Sequence, residues 1–278
     1  MSFLTQRRSP GGGGLTKAIE VAIRPAVHLF RRNWLVYKRI WYRSLFFGFL
    51  QPFMFLTAMG LGVGGLLARS NPAAFGPAGY LGFLGPGLLG AMAMQTATFE
   101  STYPIMNKIM WGRNYEAILS TPLSTRNILL GELGWIGFRL TTVATIFLTV
   151  LAIFQVAQTP LAVLSIPLVG LTGLGFSSWL IAFAARQRND VGFSWVFRFI
   201  INPLFIFSGT FFPLSQMPQP VQLIAWFTPL FHGVELMRGL ILGRLDLAVA
   251  PWHLAYLLVF FGIGLVLADR SLARRLAN

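Results

Sequence analysis

Long apolar blocks alternate with short polar connections along this chain, and the pattern predicts helices that cross a membrane. A span takes about 20 apolar residues, because the hydrocarbon core is about 30 Å thick and a helix rises about 1.5 Å per residue. Six blocks meet this length, at 45–67, 80–98, 133–155, 161–185, 191–212 and 251–268. The predicted fold class is therefore an all-α integral membrane protein with six transmembrane helices.

The segment before the first block divides into two parts. Residues 1–22 begin with a Gly-, Pro- and Ser-rich run that is typical of a flexible tail. In residues 23–44, basic residues fall on one helical face and four aromatic residues on the other, namely Phe30, Trp34, Tyr37 and Trp41. This pattern predicts an amphipathic helix at the membrane interface, with its rings at head-group depth. Residues 45–278 form the predicted membrane domain.

One polar, turn-rich stretch, Trp111–Glu132, interrupts the apolar pattern between the second and third blocks. We call it the elbow. Pro122 must stop the short helix that precedes it, because proline lacks an amide donor. Ser124 can cap the next helix by accepting a hydrogen bond from an amide near Asn127. The sequence predicts a bent element at the end of a membrane helix, suited to receiving force from outside the membrane.

The connection between the last two blocks, residues 213–251, is long but not hydrophilic. Thr228 followed by Pro229 is a helix start, and Gly239 or Gly243 can end that helix. The surrounding residues are too apolar for a free loop. We therefore expect two short helices that dip partway into the outer leaflet, with their irregular backbone sheltered by protein.

The charges support a membrane protein and give it an orientation. The chain is 55% hydrophobic and 11% charged, with a net charge of +14. Its basic residues sit beside apolar blocks, so anionic lipid explains them and nucleic acid is not an expected partner. Outside the spans, 17 Lys and Arg lie on the side of both termini and 3 on the other. By the positive-inside rule, both termini and the elbow face the cytoplasm.

The sequence offers little catalytic chemistry. It has no cysteine and no G-x-x-x-x-G-K-[ST] phosphate loop, so ATP would have to bind to a partner protein. His232 and Glu235 have no further ligand at metal-binding spacing, and no arrangement typical of hydrolysis or group transfer occurs. No catalytic residue, cofactor site or metal site is predicted in this chain.

The few ionisable residues in or near the spans are candidates for function. Glu132 and Arg139 lie two helical turns apart on one face, which is compatible with an ion pair or with polar lining near the entrance. Arg198 is a candidate contact for an anionic or sugar-phosphate substrate. Glu100 can tether the elbow through Arg113 or Lys108. Glu235 and Arg238, three residues apart, predict a salt bridge in the outer segment.

Two runs carry a specific resemblance: ATFESTYPIMNKIMWGRNYEAILSTPLSTRNILLGELGW and FSGTFFPLSQMPQPVQLIAWFTPLFHGVELMRG. Together they resemble the membrane subunit of type-2 ABC exporters, within them the nodulation-factor and lipooligosaccharide export permeases, and more distantly the daunorubicin-resistance permeases. The resemblance covers nearly all of the chain from about residue 24.

The resemblance implies roles for several residues. In that family the first run is the coupling helix that docks into an ATPase subunit, which carries over to Arg113, Tyr115, Glu116, Ser120, Pro122 and Arg126. The second run corresponds to the outer re-entrant helices, including Pro213, Pro229, His232, Glu235 and Arg238. It also implies two ATPase subunits holding ATP and Mg²⁺, and a second copy of this chain or a close paralogue. The expected role is export of an amphipathic substrate, such as a lipid-linked saccharide, a glycolipid or a hydrophobic drug, across the bacterial plasma membrane.

Two other classes stay open at this point. A membrane-embedded enzyme that modifies lipid or glycan would need acidic or His residues clustered at one leaflet. A secondary transporter would need inverted repeats and midplane ionisable residues, and no repeat relates the two halves of the sequence. Full transport activity without ATP or an ATPase partner would favour the second class.

Overall fold

The computed structural model describes residues 14–66, 78–112, 114–120 and 123–276, and no strand occurs among them. Eleven α-helices are numbered here in chain order. They are α1 Gly14–Ala58, α2 Gly79–Ser101, α3 Tyr103–Met106, α4 Asn114–Leu119, α5 Thr125–Ile153, α6 Ser165–Ala184, α7 Val191–Val196, α8 Asn202–Phe207, α9 Gln219–Trp226, α10 Pro229–Ile241 and α11 Ala250–Leu276. The all-helical prediction is confirmed for the part of the chain that the structure describes.

Three of the described helical segments are long and apolar enough to cross a membrane: Thr125–Ile153, Pro160–Ala184 and Ala250–Leu276. Two shorter apolar segments, Gly48–Gly64 and Val191–Phe207, coincide with parts of the first and fifth predicted spans. Helix α2 covers the predicted second block and is largely enclosed, packing against α5, α6 and α10. The arrangement of six spans and the orientation of the termini stay predictions.

Helix α1 is continuous from Gly14 to Ala58 and passes into a π-helical turn, Met59–Gly64. No break therefore separates the predicted interfacial helix from the first predicted span. The observed start also moves the boundary of the tail, since residues 14–22 are already helical; residues 1–13 lie outside the described residues.

The aromatic face of α1 packs against α5. Phe30 meets Trp135 and Phe138 edge to face, with ring centroids 5.9 and 5.7 Å apart. Tyr37 is buried and contacts the same two rings. Phe30 and Tyr37 therefore pack on a protein surface formed by aromatic rings of α5, and the head-group depth of the rings stays a prediction. Trp41, by contrast, is half exposed.

Local end signals are confirmed. The Ser124 hydroxyl accepts a hydrogen bond from the Asn127 amide at 3.4 Å at the start of α5. The Thr228 hydroxyl accepts one from the Phe231 amide, also at 3.4 Å, at the start of α10. Gly243, just past the end of α10, has a φ of +66°, a conformation that favours glycine.

Candidate functional site

The elbow follows a sharp bend at the end of α2. Thr102 leaves helical geometry, with φ −104° and ψ −93°, and the chain continues through α3, a π-helical turn Asn107–Trp111, and α4. Tyr103 anchors the bend by packing edge to face on Phe193, with ring centroids 5.1 Å apart. The predicted bent element is therefore present, and its outer edge carries the exposed side chains of Trp111, Glu116 and Ser120.

A buried ion pair fixes the π-helical turn that leads into the elbow to α5. Lys108 Nζ lies 2.5 Å from Glu132 Oε2, and the two side chains are only 13% and 4% exposed. A charged group that is buried away from water is stable only beside a close opposite charge. Removing one member of such a pair leaves the other charge uncompensated. The pair therefore couples the position of the π-helical turn to the start of α5.

Tyr115 packs into the root of the elbow beside this pair. Its side chain is 1% exposed, and its hydroxyl lies near Glu132 without hydrogen-bond geometry to any described group. Burial, followed by the negative charge of Glu132, raises the pKa of Tyr115 well above its ordinary value. Tyr115 is thus a neutral phenol that anchors α4, and it is not available on the surface as a contact residue.

A second ion pair joins α2 to α5. Arg139 Nε lies 3.1 Å from Glu100 Oε1, with both side chains about one-fifth exposed. The Arg139 guanidinium also lies over the Tyr37 ring, 5.1 Å from its centroid, so α1 joins the contact. Glu132 and Arg139 therefore do not pair with each other, and Glu100 does not tether Lys108. The chain bends at Thr102, so Lys108 reaches Glu132 and Glu100 reaches Arg139.

Arg126 and Arg198 lie apart from this buried core. Arg126 is exposed, and its Nε donates to Asp269 Oδ2 of α11 at 3.2 Å. Arg113 and Pro122 lie outside the described residues. Arg198, on a π-helical turn Phe197–Ile201, has an exposed side chain among exposed apolar neighbours such as Trp195 and Phe199.

On the opposite side of the sequence-predicted membrane, α9 and α10 form the outer hairpin, residues 213–243. Pro229 is the first residue of α10, and Pro213 precedes a short 3₁₀ turn, Leu214–Gln216. The predicted bridge between Glu235 and Arg238 is confirmed. Arg238 also donates through Nη2 to the Gly209 carbonyl oxygen at 2.8 Å and lies 4.0 Å from the centre of the Phe83 ring. One arginine therefore holds α10, the turn at Gly209 and α2 together.

Sequence reasoning missed a histidine pair in this region. His232 Nδ1 lies 2.6 Å from His253 Nδ1 of α11, and the side chains are 1% and 7% exposed. His232 Nε2 lies 2.9 Å from the Trp226 carbonyl oxygen, which can only accept, so Nε2 carries a proton. In the neutral ring His232 Nδ1 then accepts from His253 Nδ1–H. Burial, followed by His253, lowers the pKa of His232 to about 4.

Two glutamines were also missed. A crevice of about 190 Å³ opens between α1, α2, α5 and α8, and its lining is apolar apart from Gln51 and Gln95. Among the residues described, no group of three His, Cys, Asp or Glu side chains could hold a metal ion. The two amide side chains offer hydrogen bonds inside an otherwise apolar crevice.

The sequence matches known proteins over most of its length. Residues 26–242 match the family model described as ABC-2 type transporter. The chain is similar to nodulation protein J of Rhizobium leguminosarum bv. trifolii, with 30% identity covering 90% of this chain and 93% of that protein. It is also similar to nodulation protein J of Bradyrhizobium diazoefficiens, with 31% identity covering 78% and 80%. The chain is a membrane protein that belongs to the ABC-2 type transporter family, as a transport component and not a catalytic enzyme.

Proposed function

We propose that this chain is the permease subunit of an ATP-driven exporter, which moves an amphipathic substrate from the cytoplasmic side outward. The observation that carries the proposal is the elbow: a polar, bent element of an ABC-2 family member, rooted in α5 by a buried ion pair and exposed along its outer edge. The similarity to nodulation protein J and the resemblance to lipooligosaccharide export permeases support a lipid-linked saccharide or glycolipid over a hydrophobic drug.

The partner in this proposal is a separate ATPase. The sequence contains no phosphate loop, so ATP and Mg²⁺ belong on two ATPase subunits, and two copies of this chain or of a close paralogue form the pathway. Glu116 and the exposed ring of Trp111 are contact groups on the outer edge of the elbow. Arg113, Ser120, Pro122 and Arg126 complete the proposed docking set.

The ion pair gives the elbow a mechanical role. Closure of the ATPases on ATP pushes the elbow, and the Lys108–Glu132 contact carries this movement into α5. Glu100–Arg139 then links α5 to α2 and, through Tyr37, to α1. Coupling needs such a chain of packed and paired groups between the two sites. Helices α1, α2 and α5 thereby move as a set.

The proposed location is the bacterial plasma membrane, with both termini and the elbow in the cytoplasm. The positive-inside count supports this orientation. The crevice with Gln51 and Gln95 lies near the inner ends of the first two predicted spans. Amide groups in an otherwise apolar crevice suit a substrate that carries both hydroxyl groups and hydrocarbon.

The test is Glu116→Arg in the permease reconstituted with its ATPase, with transport and ATP hydrolysis measured together. We expect assembly to weaken and transport to fall roughly tenfold or more, because a rim charge is reversed at an interface. Asp246→Arg is the matched control, since Asp246 is an exposed acid on the outer connection. Unchanged assembly and transport in Glu116→Arg would contradict the docking assignment, and transport without ATP would contradict the exporter.

A further inference from the structure

An open cleft of about 910 Å³ lies between the elbow, the connection after α6 and the end of α11. Four arginines line it, Arg186 and Arg188 from the connection and Arg274 and Arg275 from α11. Ser271 and Glu116 are its other polar side chains. Two segments that are distant in sequence thus contribute cations to one cavity.

Most of these cations have no carboxylate partner. Arg186 Nε donates to Ser271 Oγ at 3.1 Å, a neutral acceptor. Arg188, Arg274 and Arg275 form no ion pair within the part of the chain that the structure describes. Glu116 is the one acid among the described residues of the lining. Like charges gathered in a cleft repel one another, so an anionic occupant would offset a cost that the protein leaves uncompensated.

The depth of the cleft matches that of lipid phosphates. The residue of the lining that is nearest to the predicted hydrocarbon core is Ala185, which directly follows α6 at the end of the predicted fourth span. Arg274 and Arg275 lie six and seven residues beyond the predicted last span at residue 268, about 10 Å along the helix. The head-group layer of one leaflet is about 5–7 Å thick, so the cleft covers that layer.

We infer that this arginine cleft binds the phosphate group of a membrane amphiphile, either an anionic phospholipid or a lipid-linked substrate. The guanidinium fork matches phosphate oxygens in pairs. The inner wall is apolar at Ile109 and Met110, where the first carbons of the amphiphile can lie. A soluble acidic protein would have to enter the head-group layer to fill the same space, so the lipid phosphate is the better fit. The inference rests on the orientation in the proposed function.

The test uses the full chain alone, without an ATPase, so its result is independent of coupling. Native mass spectrometry counts phosphatidylglycerol retained from mixed vesicles of phosphatidylglycerol and phosphatidylcholine. The variant is Arg188→Gln with Arg274→Gln and Arg275→Gln, and we expect at least a tenfold loss of retained phosphatidylglycerol. The matched control is Arg39→Gln, an exposed arginine on α1 outside the cleft. The triple Arg→Lys variant keeps the positive charges but not the forked guanidinium groups, so it should lose less phosphatidylglycerol than the triple Gln variant.

Inorganic pyrophosphate separates the two sources of the phosphate. Displacement of phosphatidylglycerol by pyrophosphate shows that the phosphate alone is recognised, as a lipid-linked substrate requires. Retention that depends on the arginines but resists pyrophosphate assigns the cleft to a bilayer phospholipid. Equal retention by the triple Gln variant and by Arg39→Gln, with unchanged thermal unfolding, overturns the inference.

Discussion

The elbow and the outer hairpin are both bent connections between apolar helices, yet they place their polar groups in opposite ways. The elbow buries one ion pair at its root and leaves Glu116 and Ser120 exposed. The outer hairpin turns inward, with His232 and His253 buried against each other and Arg238 mostly enclosed. Polar side chains that are exposed on a firmly anchored element are suited to contact with another molecule. Polar groups satisfied internally suit a closed cap.

Glu132→Ala should produce the largest effect and tests whether the elbow is rooted in α5. It leaves the Lys108 ammonium buried without its carboxylate, which costs about 3–5 kcal/mol. Thermal unfolding of the purified protein in detergent measures the loss. Asp269→Ala is the control, because it removes an acid from the exposed pair with Arg126, which is worth about 1 kcal/mol or less. Equal losses in the two variants would show that the elbow is not held by this pair.

Arg238→Lys tests the closed character of the outer hairpin. A lysine keeps the charge for Glu235 but cannot also reach the Gly209 carbonyl oxygen and cover the Phe83 ring. We expect a loss of about 2 kcal/mol in the free energy of unfolding, from one hydrogen bond to a charged group and one cation–π contact. Limited proteolysis between α8 and α10 should become faster. Arg244→Lys, an exposed position just beyond α10, is the control.

The histidine pair predicts that acid weakens the outer hairpin. The contact between the two Nδ1 atoms needs an unprotonated His232 Nδ1 as acceptor, so protonation of His232 removes it. Because the pKa of His232 falls from 6.5 to about 4 in the folded protein, the unfolded state binds the proton more readily. The stability of the hairpin is therefore complete above pH 6.5 and falls as the pH drops from 6.5 toward 4.

The measurement is the thermal unfolding midpoint at several pH values. A double variant, His232→Phe with His253→Phe, should lose this part of the pH dependence although its midpoint at neutral pH falls. If the double variant keeps the full acid sensitivity, other groups are responsible and the pair is only a packing contact.

The sequence predicts the ends of individual helices correctly, but it does not predict which distant residues form ion pairs. Ser124, Thr228 and Gly243 act within one turn of their own helices, so neighbouring residues determine their roles. Lys108 and Glu132 are 24 residues apart, and Glu100 and Arg139 are 39 apart. Which cation meets which acid depends on the bend at Thr102 and on how α2 lies against α5. Periodicity along one helix carries no information on either.

The aromatic face of α1 also shows that a pattern within one helix does not identify what the helix contacts. Its spacing predicted a helical face correctly, but a face of rings is equally suited to head groups and to another helix. The rings of Trp135 and Phe138 lie about 100 residues further along the chain. His232 and His253 were likewise visible as single residues, and only the packing of α10 on α11 makes them a pair.

Tyr115→Phe is expected to have the smallest effect and makes the comparison between the two regions sharper. The Tyr115 hydroxyl is buried and has no hydrogen-bond partner in the described residues, so its loss removes a desolvated polar atom and keeps the ring that anchors α4. Unfolding stability should change by less than about 1 kcal/mol, or rise slightly. Tyr115→Ala, which also removes the ring, should cost about 3 kcal/mol or more. A large loss in Tyr115→Phe would mean that the hydroxyl bonds to Glu132 in the folded protein, which would make the root of the elbow as internally satisfied as the outer hairpin.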